Sequence, residues 1–225
     1  MLALNLPQNT TTLFKVLCLG SHSDDIEIGC GGTILHLLAG GLKIDVTWVV
    51  LASNADRERE ARNSAALFLD RAERKDVIVK SFRDGFFPFE GAKIKNCFER
   101  ELKAISPDLV FTHNRKDAHQ DHRLVAELTW NTFRNQLILE YEIPKYDGDL
   151  GQPNFFVPLD REICENKIRY LMEVFETQRS KAWFARETFL GLMRLRGMEC
   201  ASPSGYAEAF YCRKIVFNEI SCPQD

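Results

Sequence analysis

The sequence predicts an α/β protein built on a Rossmann-like, mostly parallel β-sheet with helices on both faces. Short apolar runs of strand type alternate with longer stretches of helical spacing from Phe14 to His113. The stretches between them are long enough for right-handed crossovers, which parallel strands require. Two clusters of histidines and aspartates stand directly after predicted strands, where open α/β sheets place their ligands.

Phe14–Gly20 (FKVLCLG) is an apolar run ending at glycine and gives the first strand. A polar, glycine-containing segment follows, and helical spacing begins at Thr33 and runs to Ala39, where Gly40–Gly41 stop it. Lys43–Ala52 is the second strand, Arg57–Leu69 a helix rich in Ala, Glu and Arg, and Asp76–Lys80 the third strand. Ala92–Ile105 reads as a helix ended by Ser106–Pro107, and Asp108–His113 as the fourth strand. Asp121–Arg134 is a helix, Leu137–Ile143 a strand and Pro144–Pro153 a loop of Pro, Gly and Asp. The last third is less regular, with a helix over Asp160–Gln178 and a terminal strand over Tyr206–Phe217. Neither a repeat nor a linker is visible, so residues 1–225 read as a single domain. The Tyr146–Pro158 loop marks where a sheet core gives way to a capping segment.

A chain of 225 residues that is 45% hydrophobic buries roughly 70% of its unfolded surface and needs no disulfide staples. Its 29 Lys and Arg against 32 Asp and Glu leave a net charge of −3, so nothing draws the molecule as a whole to nucleic acid or an anionic membrane. Apolar stretches such as Ile44–Ala52 fall far short of the ~20 residues of a membrane span. The first residues, MLALNLPQNTTTLFK, lack the charge and cleavage pattern of a signal peptide. Seven scattered cysteines with no CxxC pair speak against both a disulfide framework and a thiolate zinc knot. These features together read as a cytoplasmic protein whose thiols are small core hydrophobes, with homo-oligomerisation left open.

Only five histidines are present, yet four fall in Ser21–Gly29 (SHSDDIEIG) and His113–His122 (HNRKDAHQDH). Together these segments offer His22, Asp24, Asp25, Glu27, Asp117, His119, Asp121 and His122, with no thiolate nearby. One aspartate at a strand end is ordinarily a helix cap, but capping does not explain so many ligand-type groups on two strand ends. Two histidines and a carboxylate around a metal with one open position form the pattern of catalytic zinc, though the same set suits Fe(II) and other divalent ions. Gly29–Thr33 (GCGGT) lacks the spacing of a dinucleotide loop, and the carboxylates before it oppose a phosphate. These glycines read as room for a tight backbone turn beneath a metal loop.

The His22-x-Asp24-Asp25 motif with Glu27, Gly29 and the GGT behind it, and Asp117-x-His119-x-Asp121-His122, resemble the LmbE/PIG-L family of zinc-dependent N-deacetylases. Arg57-x-x-Glu60, Asp84–Gly85, Thr177–Gln178 and Tyr206-Ala-Glu-Ala-Phe210 extend the likeness in the same order along the chain. The resemblance implies a zinc ion held by His22, Asp25 and His122, with Asp24 as general base. It implies His119 as the group that stabilises the oxyanion and protonates the amine, Asp121 as the residue orienting His119, and Arg57 near the substrate, with Arg59 and Arg62 close by. The implied substrate is a small N-acetyl amino sugar or its conjugate, of N-acetylglucosamine type. Ser23 stands where the family commonly has Pro, which leaves every implied ligand in place. His113 and Asp117 are additional, expected to orient the second loop, with His113 also a substitute ligand. Phe86, Phe87 and Phe89 are expected to pack against the core rather than stack on a sugar. Competing readings are a metal-dependent hydrolase of another amide or of a phosphoester, and a non-catalytic zinc-binding module.

Overall fold

The computed structural model describes residues 13–216. Their backbone forms β1 (Phe14–Gly20), α1 (Asp25–Ala39), β2 (Ile44–Val50), α2 (Ala55–Phe68), β3 (Arg74–Val79), α3 (Gly91–Arg100), β4 (Leu109–His113) and α4 (Gln120–Thr132). After these come β5 (Leu137–Tyr141), β6 (Phe155–Pro158), α5 (Arg161–Val174), α6 (Arg186–Glu199) and β7 (Ala207–Cys212). One seven-stranded sheet results, in the order β3-β2-β1-β4-β5-β7-β6. Strands β1 to β5 pair in parallel, while β7 runs antiparallel to both β5 and β6. The chain leaves β1 towards β2 and β3 and returns on the other side as β4. Strands β1 and β4 therefore flank the point where strand order reverses, the usual position of a ligand crevice.

Both faces of the sheet are apolar because alternate residues of each inner strand enter different cores. Val16 and Cys18 of β1, Val46 and Trp48 of β2 and Phe111 of β4 face α1, α2, α5 and α6. Leu17, Leu19, Val49 and Val110 face α3 and α4. The Tyr146–Pro158 loop does not open a separate capping segment. Its own last residues form β6, the chain after it adds β7 to the same sheet, and α5 and α6 cover the face already carrying α1. The expected terminal strand ends at Cys212, and Phe217 lies outside the described residues.

The largest departure from expectation lies in α1, which begins at Asp25 rather than near Thr33. Gly29, Gly31 and Gly32 are helical, and their role is close packing rather than a turn. A Cβ on Gly29 would overlap the ring of Tyr141, one on Gly31 would come within 2.6 Å of Phe68, and one on Gly32 within 2.6 Å of Leu159. The Gly32 and Thr33 N–H groups donate to the two oxygens of Glu208 at 2.8 and 2.6 Å. Ile28 O, which an ideal helix would pair with Gly32 N–H, receives the Lys167 ammonium at 2.6 Å. Lys167 Nζ and Glu208 Oε1 lie 2.6 Å apart, and both residues are buried. This ion pair from α5 and β7 thus spans the middle of α1.

Two expectations follow. Gly29→Ala should cost at least ~1–3 kcal/mol in urea unfolding, since the displaced Tyr141 ring is fully buried. Lys167→Met should cost ~3–5 kcal/mol by leaving the buried Glu208 carboxylate uncompensated, and adding Glu208→Gln should recover part of that loss.

Candidate active site

The loops after β1 and β4 close on each other at the switch point. Ser21 N–H donates to His113 Nε2 at 3.0 Å, fastening the first residue beyond β1 to the last residue of β4. His22 N–H then donates to Asp25 Oδ2 at 2.7 Å, which turns residues 22–25 into the start of α1. Asp24 occupies the N-cap position of α1, but its side chain makes no capping bond and instead receives Arg57 Nη2 at 2.6 Å. On the second loop His119 caps α4, its Nδ1 accepting from Asp121 N–H at 3.2 Å.

This folding brings the three expected ligands together. His22 Nδ1 and His122 Nε2 are 3.2 Å apart. Asp25 places Oδ2 3.4 Å from His22 Nδ1 and Oδ1 3.5 Å from His122 Nε2. Donor atoms ~2.0–2.2 Å from a tetrahedral ion stand ~3.3–3.6 Å from one another, and each of these nitrogens stands from the other, and from the Asp25 oxygen that faces it, at about that separation. His119 can join His22 and His122, and His113 can join Asp25 and His122, in groupings of similar size. His113 is fully buried, however, with Nε2 crowded by Ser21 N, by Asp25 Oδ2 at 3.2 Å and by the Tyr141 hydroxyl at 3.3 Å. His22, Asp25, His119 and His122 instead line an open cleft of about 930 Å³.

Charge at the cleft floor is tightly balanced. Burial works against an ionised Asp25, but the rings of His122, His113 and His22 hold its carboxyl well below the usual range. Burial lowers His122 to about 3, helped by the neighbouring His113. Burial also opposes a charged His22, yet Asp25, Asp121 and Asp84 outweigh it and raise that ring well above an ordinary imidazole. Asp24 is raised by burial, against the pull of Arg57, and His119 is lowered by burial and by His22. Asp117 accepts from His122 Nδ1 at 2.9 Å and from Lys145 Nζ at 3.0 Å.

The Asp121 carboxylate makes no hydrogen bond to the His119 ring and acts on it only through its charge, which favours the protonated form. Asp121 Oδ2 accepts from Gly85 N–H at 2.7 Å and Oδ1 from Phe87 N–H at 3.1 Å, and only the Asp121 backbone touches the His119 ring. The aromatic cluster also divides: Phe87 is fully buried, whereas Phe89 is 78% exposed and Phe86 lies under the Arg83 guanidinium. Arg57 faces the cleft, while Arg59 pairs with Asp56 and Arg62 with Glu58 on the outer surface of α2. The second cleft wall was not legible. Glu60 accepts from Thr177 N–H at 2.9 Å, from Thr177 Oγ1 at 2.7 Å and from Arg57 Nη1 at 3.2 Å, so the short 3-10 turn Glu176–Gln178 is tied to α2. Lys145, Lys181 and Trp183 reach the cleft from irregular segments that carry no periodic signal.

A family model described as PIG-L, GlcNAc-PI de-N-acetylase, matches residues 17–133, which carry both histidine loops. The chain belongs to the PIG-L family. The PIG-L match runs from β1 to the end of α4, so Thr177 and Glu208 lie beyond it. The uncharacterized deacetylase YaiS of Escherichia coli (strain K12) is 28% identical over 140 residues, 57% of this chain and 74% of that protein. The N,N'-diacetylchitobiose deacetylase from Pyrococcus horikoshii, solved with its inhibitor, superposes with a TM-score of 0.64 at 21% identity over 87% of this chain and 82% of that one. GalB, the 4-carboxy-2-hydroxymuconate hydratase of Pseudomonas putida KT2440, gives a TM-score of 0.71 at 15% identity over 93% of this chain and 100% of that one. These two likenesses establish the fold, which hosts more than one chemistry.

Glu60→Ala should release the Glu176–Gln178 turn by removing both of its hydrogen bonds to Thr177. Amide exchange at Thr177, followed by mass spectrometry, should speed up by at least ~10-fold while exchange in β1 and β4 stays unchanged.

Proposed function

We propose that this PIG-L member is a zinc-dependent hydrolase that removes the acetyl group from an N-acetylated amino sugar of N-acetylglucosamine type, free or conjugated. The observation that carries the reading is the His22, Asp25 and His122 donor set at the floor of a cleft, with Asp24 and His119 beside it. The family's de-N-acetylase description and the sugar-acting P. horikoshii relative support the substrate class.

His22, Asp25 and His122 would hold the metal. When bound, zinc supplies Lewis-acid polarisation of the acyl oxygen and lowers the pKa of water towards 7. Asp24 is the general base: Arg57 Nη2 fixes its Oδ1, which leaves Oδ2 to take a proton. His119 turns Nε2–H to the cleft, because Nδ1 accepts the Asp121 N–H; that N–H would stabilise the oxyanion, and the proton that Asp24 takes from water would leave with the departing amine. Arg57 sits against the substrate with its charge already shared among Asp24, Glu60 and Thr177. Residues 1–225 are proposed to act as a single domain. No helix among the described residues is long and apolar enough to cross a membrane, and a cytoplasmic location accords with the free cysteines among them.

The direct test is a deacetylation screen of the zinc-loaded protein across N-acetylglucosamine conjugates and nucleotide-linked N-acetyl sugars, reading free amine by fluorescence and acetate by enzymatic assay. Absence of both products across the panel overturns the reading. His22→Ala and His122→Ala should each weaken zinc binding by at least ~10-fold, since each removes one of three protein ligands. Asp24→Asn should retain one zinc per chain, measured by elemental analysis, and lose ~10²–10⁴-fold in kcat.

A further inference from the structure

Metal binding through a particular imidazole nitrogen requires the ring's proton to sit on the other one, and that N–H needs an acceptor. His122 meets this condition through Asp117, whose Oδ2 lies 2.9 Å from His122 Nδ1 and leaves Nε2 for the cleft. His22 presents Nδ1 towards His122 and Asp25, so its proton belongs on Nε2. Two carboxylate oxygens flank that atom: Asp84 Oδ1 at 3.0 Å and Asp121 Oδ2 at 3.4 Å. Asp121 is wholly buried and held by the Gly85 and Phe87 N–H groups. Gly85 has φ of +77°, a conformation that admits glycine readily and turns residues 84–87 around the Asp121 carboxylate. The Phe87 ring stacks on His22 at 6.2 Å with 30° between planes, so the same turn supplies a carboxylate, an aromatic face and the anchor of the buried aspartate.

We propose that Asp121, together with Asp84, is a positioning residue for His22: the two carboxylates hold the ring's proton on Nε2 and so keep Nδ1 available to a metal ion. The proposal rests on His22 being a metal ligand and departs from the role that the family resemblance gives to Asp121, the support of His119. The Asp84–Phe87 turn and α4 thereby fix the ligand on α1's side of the cleft, while Asp117 fixes the ligand on α4 itself. A carboxylate behind a ligating histidine typically contributes ~10–100-fold to metal affinity.

The experiment measures zinc affinity by competition with a chromophoric chelator, alongside long-range 1H–15N spectra of the histidine rings in the metal-free and zinc-loaded protein. In the wild type, zinc-loaded or at a pH high enough to deprotonate metal-free His22, that ring should be in the Nε2–H form. Asp121→Asn should weaken zinc binding by ~10–100-fold and mix the His22 tautomers, while the His119 ring keeps its Nε2–H form. Asp84 is 78% exposed at its side chain, so Asp84→Asn keeps the fold and should produce a smaller loss of affinity and a partial tautomer change. Zinc affinity within ~2-fold of wild type and an unchanged His22 tautomer in Asp121→Asn, with movement confined to His119, overturns the proposal. If Asp121→Asn does not fold, unchanged affinity and tautomer in Asp84→Asn overturn it equally. A wild type that binds no zinc, or His22→Ala binding it as tightly, would instead overturn the ligand assignment beneath it.

Discussion

The close seating of α1 on the sheet is the constraint from which the rest of the molecule follows. Three glycines in the first half of the helix remove the side chains that would collide with Tyr141, Phe68 and Leu159. The helix axis can then approach β5 and α5 near enough for Glu208 to take the Gly32 and Thr33 N–H groups and for Lys167 to reach Ile28 O. Buried ion pairs are weak sources of net stability, but here the pair fixes position: each charge is compensated only when α1, α5 and β7 are in register. With α1 fixed, Asp24 and Asp25 at its first turn have one place to go, over the gap between β1 and β4.

That gap is filled by a layered set of charges. Asp25 sits deepest, surrounded by three imidazoles; Asp117 and Asp121 stand behind two histidines; Arg57 neutralises Asp24 at the cleft wall. Carboxylates at such density cannot all stay ionised away from water without cations beside them. In the protein alone, Arg57, Lys145 and a protonated His22 supply part of that charge. The opposite wall is assembled from a different part of the chain, since Glu60 on α2 grips the turn that follows α5. Asp24 and Thr177, far apart in sequence, thus share one guanidinium, that of Arg57, which bonds both.

Where sequence patterns failed, tertiary contact had overridden local preference. Three glycines in four residues read as a turn because glycine is poor in helices; packing against Tyr141 and Phe68 makes them helical here. Strand β6 is four residues at a sheet edge, and α6 contains Gly191 and Gly197, so neither carries a clear period. The family resemblance gives Asp121 to His119, whereas its carboxylate bonds the Gly85 and Phe87 amides, a choice that the motif spacing does not carry.

The sequence by itself determined the alternation of elements, the parallel core strands β1 to β5, and the two loops that carry the clustered histidines and aspartates. These depend on local periodicity and on residue types that need no partner to be recognised. Only the tertiary structure decided which nitrogen of each histidine meets which oxygen, that Arg57 rather than Arg59 or Arg62 faces the cleft, and that Glu60 closes a wall with Thr177. Those choices belong to strand order and side-chain direction. Neither is encoded by spacing along the chain, because a contact between residues a hundred positions apart exists only once the sheet has placed their strands side by side.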